Sequence, residues 1–275
     1  MAEPAPQLAL ESVTLGFGGL QVLDGVSFEA RAGELLALIG PNGAGKTSVL
    51  NCISGLYRPR SGRILLGGRD ITRERPHRIA TRGIARTFQH GELFPHMSVI
   101  DNLMVARHGR FRSHTLAEIV FSPGVRGEEA RHRRRVEEVI EFVELERHRH
   151  RPVDGLPYGL QKIVGFARAL AMEPTVLLLD EPSAGLNREE REDLARYILR
   201  IRHELGIAMV WVEHDMQMVA DLADRIVVLE GGRPLAAGAP DDVLGDPRVI
   251  RAYLGSAAPV PGEPSEKNAS TSFTQ

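Results

Sequence analysis

GPNGAGKT, Gly40 to Thr47, decides the fold. It follows ELLALI (34–39), a short continuous apolar run of the kind expected for a strand buried on both faces. It precedes SVLNCISGLY (48–57), which reads as a helix. Strand, loop and helix around G-x-x-x-x-G-K-[ST] is the required context of a phosphate-binding loop. Its glycines let the backbone curl so that several N–H groups point at one anion, and the helix N-terminus adds its positive dipole end. Lys46 is predicted to reach the β- and γ-phosphates of a nucleotide, and the Thr47 hydroxyl to ligate Mg²⁺.

Three further stretches gain meaning from that loop. VLLLDEP (176–182) ends an apolar run on Asp180 and Glu181. Open parallel sheets bind ligands at the C-terminal ends of their strands. Asp180 can therefore hold the Mg²⁺ sphere, and Glu181 can polarise an attacking water. His214 follows IAMVWVE (207–213) and is expected at the same sheet edge. Gln89, in ARTFQH (85–90), has the amide needed to ligate Mg²⁺ and orient water.

The rest of the chain supplies the frame. From Leu8 to about Ile71 it reads as short strands with Gly and Asp turns. From about Met97 to Val153 it has helical periodicity, with Val136, Val139, Ile140 and Val143 on one helix face. Arg131, Arg133, Arg134 and Arg135, interleaved with glutamates, read as the solvated face of that helix, with an anion- or RNA-binding cluster as the competing reading. Strands alternating with helices from Val176 onward indicate a mostly parallel sheet. Residues 256–275 are polar and Pro-rich and are expected to be disordered.

Composition narrows the class. The 275 residues carry 34 basic and 36 acidic side chains, net −2, which argues against a nucleic-acid surface. One cysteine, Cys52, cannot form an internal disulfide and points to a reducing compartment. The opening MAEPAPQLALES lacks the features of a secretory signal. No apolar run approaches the roughly 20 residues that span a bilayer, so a membrane role is expected to come through a partner.

In combination, GPNGAGKT, Gln89, LPYGLQK (156–162), VLLLDEP, SAGLN (183–187) and His214 resemble the ATP-binding subunit of ABC transporters. The resemblance runs nearly to Gly255. It implies an α/β fold: a RecA-like phosphate-loop core with a mostly parallel sheet, a small antiparallel β subdomain and an inserted helical subdomain. The chain then divides as one ATPase domain, 8–255. Residues 8–95 and 163–255 form the core with the β subdomain, and 96–162 form the helical subdomain ending in the signature. Asn42, Gly43, Ala44, Gly45, Lys46, Thr47 and Ser48 are the implied ATP contacts. Thr47, Gln89 and Asp180 are the implied Mg²⁺ ligands, and Glu181 is the implied general base. Lys46 and Gln89 assist it, and His214 meets the γ-phosphate. The family closes head-to-tail dimers over two ATPs, with Ser183 to Asn187 crossing the interface. Asn187 stands where Asp is usual. Phe17 lies where an adenine-stacking aromatic is placed, with a core phenylalanine as the competing reading.

RTFQHGELFPHMSVIDNLMVARH (86–108), Tyr158, SAGLN and RAYLG (251–255) are similar to the larger ATPase subunit of branched-chain amino-acid importers. That resemblance implies a separate membrane permease, with Gly91, Glu92, Leu93 and Phe94 as contacts, and a place on the cytoplasmic face of the inner membrane. Core burial is the competing reading for Leu93 and Phe94. The signature departs from Leu-Ser-Gly-Gly-Gln: Pro157 replaces Ser and Leu160 replaces Gln. Pro157 is expected in the first turn of a helix, where its missing N–H costs nothing. Tyr158 and Gly159 keep backbone donors for the partner's nucleotide, but one hydroxyl contact is lost. An altered signature beside an intact phosphate loop suggests a second, different ATPase chain and two unequal sites. The competing functions are an exporter ATPase for lipid or lipopolysaccharide, and a soluble ABC-type ATPase acting on ribosomes or nucleic acid.

Overall fold

The computed structural model describes residues 6–87, 93–110 and 123–255. A six-stranded sheet has β10 (Arg233–Gly238), β9 (Arg225–Glu230), β3 (Leu35–Ile39), β8 (Ala208–Val212), β7 (Val176–Asp180) and β6 (Ile84–Thr87) side by side. All but β10 run parallel. A second, antiparallel sheet orders β2 (Leu20–Ala30), β1 (Leu8–Phe17), β4 (Ser61–Leu66) and β5 (Arg69–Asp70).

The parallel strands are apolar on consecutive residues because both faces are covered. β3, β7 and β8 are buried throughout. Side chains alternate between faces, so Leu35, Ala37 and Ile39 enter one core and Leu36 and Leu38 the other. The first core takes Met209 and Trp211 from β8 and the apolar faces of α3 (Val99–Ala106), α4 (Pro123–Phe142) and α5 (Tyr158–Ala171). The second packs against the antiparallel sheet and α1 (Lys46–Ile53). α2 (Pro76–Thr81) leads into β6. Each face of the sheet thus has its own hydrophobic layer, the arrangement that makes a parallel sheet stable.

In α4, Val136, Ile140 and Val143 are buried and Val139 packs beside them, while Arg131, Arg133, Arg134 and Arg135 are exposed. His132, between those arginines, is buried and accepts from Arg107 Nε at Nδ1, 2.9 Å. Its spacing, four residues before Val136, places it on the buried face that the sequence reading began only at Val136. α5 runs unbroken across position 162, so the signature and the core side of the first layer share one rod. α6 (Arg188–Arg200), α7 (Met216–Leu222), α8 (Pro240–Leu244) and α9 (Pro247–Gly255) complete the chain. No helix among the described residues is long and apolar enough to cross a membrane. The tail, 256–275, lies outside the described residues.

Candidate active site

The C-terminal edge of the parallel sheet gathers the chemistry. Asp180 pairs with Val212 and Ile39 with Val228, so β3, β7, β8 and β9 end nearly flush. The loop after β3, Asp180–Glu181 after β7 and Glu213–His214 after β8 therefore emerge together. At Gly40, φ is +149°, and a Cβ would sit 2.1 Å from the Leu229 carbonyl oxygen, so no other residue fits. Gly45, φ +98°, turns the chain into α1, where a Cβ would meet Leu23 at 2.7 Å. Residues Asn42 to Ser48 line a cavity of about 510 Å³ together with Val22, Glu181 and His214.

Lys46 is buried, and its Nζ donates to the carbonyls of Gly40 (2.7 Å) and Pro41 (3.1 Å). Desolvation lowers its pKa, while the nearby Glu181 and Asp180 carboxylates oppose that shift. A desolvated ammonium at a helix N-terminus is a strong partner for a polyanion, which restores its lost solvation.

Asp180 is held by a residue that motif reading missed. Arg86 Nη2 donates to Asp180 Oδ2 at 2.6 Å, both side chains being almost fully buried. Arg86 Nη1 also donates to Asn51 Oδ1 on α1, at 2.6 Å. Thr87 Oγ1 donates to the Leu178 carbonyl (3.4 Å) and accepts from Asp180 N (3.3 Å). The available signal was a charge inside a four-residue strand: a buried arginine needs a carboxylate. Asp180 Oδ1 is buried and has no hydrogen-bond partner among the described residues. A buried, unpaired carboxylate oxygen on the same edge as the Thr47 hydroxyl is the donor chemistry that fits Mg²⁺, which binds through one or two protein oxygens plus substrate phosphates.

Glu181 has φ +47°, unusual for a residue with a side chain. Such a conformation costs on the order of 1–3 kcal/mol and persists where surroundings over-determine it. Here Glu181 N donates to the Val212 carbonyl (3.0 Å), and Glu181 Oε1 lies 2.9 Å from His214 Nε2. The turn re-aims the Glu181 carboxylate out of the strand line and across to His214.

Asn187 is the N-cap of α6. Its side chain accepts from Glu190 N, and Glu190 returns a bond to Asn187 N. A cap needs an acceptor oxygen, which Asn supplies as well as Asp. Pro157 is the N-cap of α5, one position before the first turn, with φ −52° and ψ 150°. It contributes no side-chain cap. The Tyr158 ring is exposed and lies over Gly185, and Gly159 is buried against the Glu190 carboxylate.

Phe17 is 51% exposed and meets Tyr57 edge-on at 5.1 Å, so it is not a core residue. It closes the β1–β2 hairpin whose Val22 lines the cavity. Phe94 is 46% exposed, whereas Leu93 is partly buried and packs on the first core. Asn102, fully buried, fixes this loop: it accepts from Phe94 N (2.8 Å) and donates to the Phe94 carbonyl (3.0 Å). Gln89, Gly91 and Glu92 lie outside the described residues.

The match of this chain to known proteins is extensive. Residues 23–184 match the family described as ABC transporter. The chain belongs to that family. Residues 233–259 also match the family described as Branched-chain amino acid ATP-binding cassette transporter. The chain is 39% identical over 252 residues to the high-affinity branched-chain amino acid transport ATP-binding protein BraF of Pseudomonas aeruginosa, covering 92% of this chain and 99% of the relative. It is 40% identical, with the same coverage, to LivG, the protein of that description from Salmonella typhimurium. Among solved structures it is similar to an ATP-binding cassette of an ABC transporter in its ADP conformation, with TM-score 0.80, 29% identity, 92% of this chain and all of that one. A dimeric bacterial ABC transporter cassette aligns with TM-score 0.70 at 25% identity over 85% of this chain and 98% of that one. The fold is thus that of the ABC ATPases, and the enzyme class is transport-coupled ATP hydrolysis.

Proposed function

We propose that this chain is the ATP-hydrolysing subunit of an importer for branched-chain amino acids, seated on the cytoplasmic face of the membrane beneath a separate permease. The observation that carries the solute class is the match at 233–259, a segment outside the ATPase motifs, together with end-to-end similarity to BraF and LivG. The test is to copurify the chain with its membrane partner and measure ATPase in vesicles containing the cognate binding protein. Leucine, isoleucine or valine is expected to stimulate turnover; stimulation by unrelated solutes alone would overturn the assignment.

On this reading the loop Asn42–Ser48 cradles the phosphates, with Lys46 neutralising charge at the β- and γ-positions. Glu181 accepts the proton of the water that attacks the γ-phosphorus. His214, 2.9 Å from Glu181, is placed to hold that carboxylate and to donate toward the γ-phosphate. Thr47, Asp180 and Gln89 would hold Mg²⁺, which supplies neutralisation of the phosphate oxygens. Catalysis then comes from positioning and electrostatics rather than covalent chemistry. Phe17, at the hairpin beside the cavity, is proposed to meet the adenine. Gly91 to Phe94 are proposed to meet the permease, with exposed Phe94 held out by Asn102.

The chain is also proposed to pair head-to-tail with a different ATPase chain. Tyr158 and Gly159 then face the partner's nucleotide, and this chain's own site borrows the partner's signature. Glu181→Gln and the equivalent change in the partner are expected to reduce transporter ATPase unequally. Equal losses would sink the idea.

A further inference from the structure

We infer that Glu213 is a positioning residue that ties the Ser183–Asn187 loop to His214, so that the two loops move as one. The inference rests on the roles proposed above for Glu181 and His214.

Glu213 is 3% exposed and directly follows β8. Its two oxygens serve two different loops. Oε2 accepts from Ser183 Oγ at 2.6 Å; Oε1 accepts from the peptide N–H of His214 at 2.8 Å and of Asp215 at 3.4 Å. Ser183 is itself buried. A buried carboxylate is expensive unless hydrogen bonds replace its water. Here the Ser183 hydroxyl at 2.6 Å and the His214 peptide at 2.8 Å are short as charge-assisted bonds are, and the Asp215 peptide at 3.4 Å is a longer third donor. A carboxylate suits this position because both of its oxygens accept, one toward each loop.

A second tie lies on the other side of His214. Asp215 caps α7 by accepting from Met218 N (3.1 Å), and Arg191 of α6 donates to Asp215 Oδ2 (3.1 Å). His214 is therefore clamped at both neighbours, and both clamps reach the segment that starts at Ser183 and continues into α6. Within that segment Leu186 N donates to the Ser183 carbonyl and Ala184 N to that of Glu181. Any displacement of the Ser183–Asn187 loop is passed to the separation between His214 and Glu181. The loop's influence on hydrolysis thus runs through the Ser183 hydroxyl at its start, while Asn187 at its end acts as a helix cap.

The experiment measures ATPase kinetics in the assembled transporter, where this chain's site has its partner's signature, and thermal midpoint and emission of the chain's sole tryptophan, Trp211, fully buried two residues before Glu213, on the purified full-length chain. Ser183→Ala is expected to lower kcat about ten- to a hundredfold, the scale of a small misplacement of a reacting group, with KM for ATP nearly unchanged. Ser183→Thr, which keeps the hydroxyl, and Glu213→Gln, whose amide can donate to Ser183 Oγ while its oxygen accepts from the peptides, are expected to recover most of kcat. The double variant Ser183→Ala with Glu213→Ala is expected to be no worse than Glu213→Ala alone. The ATP-induced change in Trp211 emission is expected to shrink in Ser183→Ala and return in Ser183→Thr. Wild-type kcat in Ser183→Ala, or a loss that Ser183→Thr does not restore, would overturn the linkage. His214→Ala separates the two readings. If it keeps wild-type kcat, the proposed role of His214 falls and the linkage with it. If it is inactive while Ser183→Ala is normal, only the linkage falls.

Discussion

Two helix N-termini in this molecule are furnished very differently. α1 starts behind Gly45, with Lys46 buried beneath the loop and no acidic residue in its first turn. α5 starts behind Pro157, with Tyr158 exposed above it and the Glu190 carboxylate pressed against Gly159. Both offer the orphan N–H groups and positive dipole end common to every helix. α1 adds a buried cation, glycines that bring the backbone close, and the consecutive carboxylates Asp180 and Glu181 at the end of β7, whereas at α5 the nearby cation, Lys162, lies over the Tyr158 ring. The dipole alone does not make a catalytic site; the side chains around it set its strength. On the proposed reading, the loop side hydrolyses and the signature side completes a site built on the partner chain.

The widest break in that comparison is expected from Glu181→Gln. Removing a general base costs roughly 10²- to 10⁴-fold in rate. The amide keeps the size of the side chain and can still meet His214. Nucleotide affinity is therefore expected to survive while kcat collapses, checked by equilibrium binding beside ATPase turnover. Lys46→Ala comes next, with a loss of about 10²- to 10³-fold for a preorganised electrostatic contact. Here affinity is expected to fall as well, because the ammonium meets the phosphates in ground state and transition state alike. If Lys46→Ala preserved affinity, the cavity lined by Asn42 to Ser48, Glu181 and His214 would not be the nucleotide site.

Arg86→Met tests the support of the loop side rather than its chemistry. Breaking a buried ion pair from one end leaves an uncompensated charge and costs about 3–5 kcal/mol. For a domain of this size that lowers the thermal midpoint by on the order of 10 °C. Double replacement of Arg86 and Asp180 by apolar residues is expected to be less destabilising than Arg86→Met alone, since no charge is then stranded. A midpoint unchanged by Arg86→Met would mean that Asp180 is solvated rather than paired.

The contrast also explains what was legible in the sequence. The loop, the strand ends of the candidate site and the sheet class were readable because each combines a local pattern with a strict context. GPNGAGKT needs its strand and helix, and VLLLD needs burial on both faces. Phosphate chemistry concentrates on few residue types, so Lys46, Thr47, Asp180 and Glu181 announce themselves. The residues that hold them do not. Arg86 and Glu213 act through partners 94 and 30 positions away, and no local period encodes such a pairing. His132 continues the buried face of Val136 and Ile140 at helical spacing, so its burial was readable; what no local period encodes is its partner Arg107, 25 positions away. Pro157 was misplaced by one residue because helix boundaries depend on backbone angles that propensity fixes only loosely.

Pro157→Ser is the smallest expected effect and the sharpest test of the signature side. Serine fits the observed φ and ψ, which are those of an ordinary N-cap. As a cap it adds about 1 kcal/mol to α5. Losing proline returns about 0.4–1 kcal/mol of freedom to the unfolded chain. The two nearly cancel, so the thermal midpoint is expected to hold within a few degrees, and any functional change can be read without a folding artefact. In the assembled transporter the new hydroxyl can reach the partner's γ-phosphate. A charge-assisted hydrogen bond is worth roughly 1.5–3 kcal/mol. Much of this is offset where the hydroxyl also serves α5, leaving about tenfold as the expected gain at that one site. A rise that vanishes when the partner's general base is replaced, but survives Glu181→Gln here, would assign the signature of this chain to the partner's nucleotide. A rise abolished only by Glu181→Gln would assign it to this chain's own, and the two-chain, two-site arrangement would fail.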